Sequence, residues 1–158
     1  MRRRLMTGIV FCTLSFGIAL DAFAQSANFL VSSRKGAMTL QQKYMSRLVN
    51  MAQGKVPFDA SEAQHNADIL AVLATLPWDD FQASTAQNPN TRAKEEVFKD
   101  APKFKAASEK LGAEIKALVV ATRSGNQATV GAAVKNAAQA CNTCHDSFSG
   151  WTGRFKFE

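Results

Sequence analysis

Cys141 and Cys144 stand three residues apart, and His145 follows the second directly, in the run Cys141-Asn142-Thr143-Cys144-His145. That order and spacing is the c-type haem attachment pattern. On a helix, positions i and i+3 lie on neighbouring turns of one face, so both sulfurs reach the two vinyl groups of a single porphyrin. The next residue, His145, is carried under the iron, where a neutral imidazole nitrogen is a tight axial ligand. Other chemistry is a poorer match. A thiol–disulfide CxxC normally opens a helix after a strand in a βαβ setting, and no such strand is legible here. A zinc site needs a fourth ligand that no second cluster supplies. Neither His65 nor His145 has the setting of a hydrolytic or group-transfer site, so no turnover enzyme is expected.

The elements that position these groups read as helices. At 158 residues the chain is one domain by length and can bury a core. Residues 1–24 read as a secretory signal peptide: Arg2, Arg3 and Arg4, an apolar stretch from Leu5 to Leu20, then Ala22-Phe23-Ala24 as the cleavage site. The stretch is too short and wrongly flanked for a membrane anchor. Cys12 departs with it, leaving only the two haem-type cysteines. Residues 25–158 are then a periplasmic domain of a Gram-negative bacterium, with a net charge that falls from +6 to about +4. A mild positive excess suits an acidic redox partner. Without a basic cluster or interleaved aromatics it argues against nucleic acid.

Periodicity predicts a first helix from about Ala27 to Gln53, with Leu30, Ala37, Met38, Met45, Leu48 and Ala52 as its stripe. Arg34 lies one turn before Met38, so a charge and an apolar group share one face. Gly54 and Pro57 stop this helix. Asp59 with Glu62 has the form of a capping box, opening a second helix that runs to about Leu76 with Ala63, Ala67, Leu70, Ala71 and Ala74 inward. Its small residues allow close approach of a neighbouring helix or a second subunit. His65 falls on the other face and has no role. From Trp78 to Lys94 the period is lost, and Trp78 and Phe81 either cap the bundle end or wall a cofactor edge. A third helix starts near Asp100, with Pro102 in its first turn and Phe104, Ala107, Leu111, Ile115, Leu118, Val119 and Thr122 inward. The last runs from Asn126–Thr129 to Gly150 and carries Cys141, Cys144 and His145 on its apolar face. Four helices and no strand predict an all-α, antiparallel four-helix bundle.

At this level the chain resembles the class II c-type cytochromes, and among them the cytochromes c′. The resemblance is carried by Arg34-Lys35-Gly36-Ala37-Met38, by Gly54 to Asp59, by Leu76-Pro77-Trp78 with Phe81, and by Thr91-Arg92-Ala93-Lys94. It continues through Phe98, Lys103 to Ala107, Ser124-Gly125 and Cys141 to Asp146. It implies one covalent haem c, with His145 as proximal ligand and Arg34 on a propionate. Lys35, Thr91 and Arg92 are implied near the haem, and Met38 over the distal iron face. In low-spin, c-556-like relatives a methionine there binds the iron, which points to electron transfer. In five-coordinate relatives that position is packed but unbonded, which points to binding of nitric oxide or carbon monoxide. The resemblance also implies a possible homodimer through the first two helices. One departure stands out: the family's cation four residues after the histidine is Ser149 here, which should alter the charge environment of His145.

Overall fold

The computed structural model describes Ser26 to Phe157, apart from Thr152. The expected signal peptide, with Cys12 and the cleavage site before Gln25, lies outside the described residues. Four long helices, α1 (Ala27–Ala52), α2 (Ala60–Leu73), α4 (Ala101–Thr122) and α5 (Gln127–Phe148), pack around one core, with a single-turn α3 (Glu96–Lys99) before α4. Each long helix touches two neighbours, in the cycle α1–α2–α4–α5–α1. Short connections make α1 antiparallel to α2 and α4 antiparallel to α5. Among the described residues there is no strand, only an isolated antiparallel bridge between Ala93 and Ser149.

The helix ends follow local chemistry. Ser26, Asp59, Asp100 and Asn126 each accept a hydrogen bond from the backbone N–H three residues on, which satisfies an orphan donor of the first turn. The box at α2 is only half made, because the Glu62 carboxylate turns to the amide of buried Asn66. At the end of α1, Gly54 N–H donates to Met51 O and Lys55 N–H to Asn50 O. This Schellman pair needs the left-handed conformation that Gly54 adopts at φ +68°. The second helix ends at Leu73 rather than near Leu76. There the chain tightens into i→i+3 bonds ahead of Pro77, and the Trp78 indole donates to Ala74 O at 2.6 Å, taking a carbonyl that a longer helix would have used.

The core is Met45, Leu48, Ala63, Ala67, Leu70, Leu111, Ile115, Leu118, Val130, Val134, Ala137 and Ala138 with their neighbours. Ala63 and Ala67 are wholly buried within the chain, so the close approach they permit is to helices of the same bundle and not to a second subunit. Ala71 is half-buried on the same helix. His65 is exposed, as its position on the helix implied. Leu118, completely buried at the centre, reports on this core. Leu118→Ala is expected to lower the unfolding free energy by about 2–5 kcal/mol, read as a shifted denaturant midpoint with an unchanged slope.

Candidate functional site

Burial decides what Cys141, Cys144 and His145 can do. All three sit on the last turns of α5, where the inward stripe of Val134, Ala137 and Ala138 continues through Cys144 to Phe148. Cys144 is buried, while Cys141 and His145 are half-buried. Burial pushes the Cys141 thiol up to about 12, with Cys144 adding to the effect, and pushes Cys144 up to about 11. Thiols raised so far carry little thiolate, the form that attacks a disulfide. No group of three metal-ligating side chains gathers elsewhere among the described residues.

His145 is shifted the other way. Burial lowers its pKa, Arg154 lowers it further, and Asp146 opposes both. The imidazole is therefore neutral at physiological pH, with a lone pair free for a metal. Among the described residues its Nδ1 is buried without a hydrogen-bond partner.

One cavity brings these groups together with α1. It is lined by Cys141, Cys144 and His145 of α5 and by Arg34, Lys35, Met38, Gln41 and Met45 of α1. Trp78, Phe81, Phe104 and Phe148 close it with aromatic surface. These rings touch in sequence: Trp78–Phe81 at 6.3 Å, Phe81–Phe104 at 4.8 Å and Phe104–Phe148 at 5.2 Å between centroids. Trp78 and Phe81 thus wall the cavity rather than merely capping the bundle. Two sulfurs, a neutral imidazole, a thioether and a flat aromatic wall form a donor set and shape that suit an iron porphyrin.

Arg34 is almost fully buried. Its Nη1 donates to Asp80 O (2.9 Å) and Thr85 Oγ1 (2.7 Å), its Nη2 donates to Thr91 Oγ1 (2.6 Å), and its guanidinium lies 4.5 Å from the Phe81 ring centroid. Burial lowers its pKa while Asp80 opposes the shift. The structure therefore assigns it a task beyond the propionate contact that the resemblance implied: it pins the 78–91 segment to α1. Thr91 is one layer back from the cavity, where its hydroxyl accepts from Arg34 and from the Ala93 N–H. Lys35 and Arg92 are exposed at the cavity edge.

With the fold and cavity defined, the family model described as "Cytochrome C'" matches residues 30–149. The chain belongs to the cytochrome c′ family. Members carry one covalently bound haem c, and this chain is a haem protein of that kind. The chain is 39% identical over 118 residues to the cytochrome c′ of Rubrivivax gelatinosus, covering 75% of this chain and 92% of that one. The crystal structure of that protein superposes with a TM-score of 0.76 at 38% identity, over 79% of this chain and 98% of that one. A cytochrome c-556 of Agrobacterium tumefaciens is 29% identical over 75% of this chain and 94% of its own. A nitric oxide complex of a cytochrome c prime variant from Alcaligenes xylosoxidans superposes at TM-score 0.73 and 27% identity, over 78% and 96% of the two chains.

The sequence places the aromatics of the C-terminal tail on the bundle end, where Phe155 and Phe157 do pack, but it does not foretell that the tail reaches the cavity. Trp151 and Phe155 also line the cavity, and Arg154 supplies a cation near His145 although Ser149 does not. The only sequence signal was a density of aromatics after Gly150.

Arg34 generates a direct expectation. Arg34→Ala removes three hydrogen bonds from a charged donor, each worth about 1.5–3 kcal/mol. Amides of residues 78–91 should then exchange hydrogen at least tenfold faster by mass spectrometry, while α4 amides keep their protection.

Proposed function

We propose that this cytochrome c′ family chain is a periplasmic one-electron carrier, with haem c joined to Cys141 and Cys144, His145 as proximal ligand and Met38 as sixth ligand. The observation that carries the reading is that Met38 of α1 lines the same cavity as both cysteines and His145 of α5. A haem held here supplies a reversible one-electron couple whose potential follows its axial ligands and burial. A thioether opposite an imidazole raises that potential and keeps the coordination shell alike in both oxidation states.

The protein's own residues support this role. Lowered basicity keeps His145 a lone-pair donor. The aromatic wall keeps water from one side of the ring. Lys35 and Arg92, exposed at the edge, offer cations to propionates and then to an acidic redox partner. Export rests on the Arg2 to Ala24 pattern. Among the described residues no helix is long and apolar enough to cross a membrane. Self-association would use exposed Leu40 and Val72 of α1 and α2.

A second reading has its own support. The relative from Alcaligenes xylosoxidans forms a nitric oxide complex, and Met38 is half-buried, free to pack without bonding. Here the distal face takes a small diatomic gas such as nitric oxide or carbon monoxide.

Spectra of the matured holoprotein separate the two. A bonded Met38 gives a sharp low-spin α-band that Met38→Leu converts to a broad high-spin spectrum. A parent spectrum that is already high-spin, and that changes with nitric oxide, selects the gas-binding reading and overturns the first. Cys144→Ser and His145→Ala are each expected to leave little stable holoprotein in a strain with a cytochrome c maturation system. A normal yield of coloured, folded protein from either would remove the corresponding role.

A further inference from the structure

The chain turns back on itself after α5. Ser149 pairs with Ala93, and Gly150 N–H donates to Arg92 O at 2.8 Å. Beyond that point the chain leaves the stretch matched by the family model, which ends at residue 149. The tail is nevertheless held at several points. The Asn142 side chain bonds both backbone groups of Phe155, donating to its O at 2.8 Å and accepting from its N–H at 3.1 Å. Gln53 Nε2 donates to Lys156 O. Phe155 and Phe157 pack on the main core.

Two tail side chains meet the proximal histidine's surroundings. The Trp151 indole stands edge-on to the His145 ring, centroids 4.8 Å apart and planes at 85°. Arg154 Nε donates to Asp146 Oδ1 at 2.8 Å, and its Nη1 donates to Trp151 O at 2.7 Å and Gly153 O at 2.9 Å. One guanidinium thus ties the tail backbone under Trp151 to the residue directly after His145. Gly153 lies so close to the indole that a Cβ there would run into the ring, so the turn requires glycine.

We propose that Trp151 and residues 153–155 form a proximal cap, in which Trp151 fixes the orientation of the His145 imidazole and Arg154 holds a cation beside it. The cap makes both residues positioning residues for the haem. An edge-on indole restricts rotation of the imidazole about its bond to the iron, and thereby sets its overlap with the metal. A cation fixed near the ligand favours the extra electron of the reduced state, so its removal lowers the reduction potential. Both effects act from the His145 side, whichever group lies on the distal face. The cap therefore stands or falls separately from Met38 ligation.

The test uses the matured holoprotein, with spectroelectrochemical potentials and ferric EPR as readouts. Arg154→Gln is expected to shift the oxidised-to-reduced ratio at fixed potential about threefold toward oxidised, a fall of ~28 mV at 59 mV per tenfold for one electron. Arg154→Lys should restore the parent potential. Trp151→Ala should change the anisotropy of the ferric EPR signal, which follows imidazole orientation. Gly153→Val, which displaces the cap without removing either side chain, should move both readouts. An unchanged or raised potential in Arg154→Gln, a potential left low in Arg154→Lys, or an EPR signal unmoved in Trp151→Ala or Gly153→Val would overturn the proposal.

Discussion

Everything in this fold answers to one constraint: two thiols and an imidazole must face inward together from the final turns of one helix. Val134, Ala137 and Ala138 set the inward direction of α5, and the register of that stripe carries Cys141, Cys144 and His145 to the cavity. The same burial that places the sulfurs raises the pKa of both thiols in the chain before haem is attached. It also keeps His145 unprotonated. Packing and ligand chemistry therefore have a single cause.

A site on one helix still needs a roof. α1 provides it with a face that mixes a buried guanidinium, two thioethers and buried Gln41, whose amide donates to Leu73 O at 3.1 Å. A charge in that position is tolerable because Arg34 donates to three oxygens and lies on the Phe81 ring. The arginine converts an irregular connection into a wall. Without strand or long helix, residues 78–91 are organised by two 3-10 turns and by this cation.

The parts legible in the sequence were those with local causes. Period 3.6 and the side-chain caps located the four long helices to within a few residues, and the spacing of Cys141, Cys144 and His145 located the centre of the site. Arg34 was placed on the right face because it is one turn from Met38. Its partners Thr85 and Asp80 were not legible, since they lie 46 to 51 residues away in a stretch with no period. The early stop of α2 came from Trp78 claiming the carbonyl of Ala74, a side-chain choice that Pro77 alone does not dictate. The tail's aromatics were legible as packing on the bundle end, but its anchors Asn142, Gln53 and Asp146 were not, because the roles of these polar residues depend on what returns to them.

Asn142 carries a further consequence. It is a spacer between the two cysteines, yet its amide brackets the backbone of Phe155 as a strand neighbour would. That bracket exists only once the last turns of α5 are wound, because the helix aims the amide. Closure of the C-terminal end therefore depends on the winding of α5, and fraying of that helix end would release the tail. Thr143, the other spacer, is exposed and bound by no such duty, so the two positions between the cysteines face different freedom to vary.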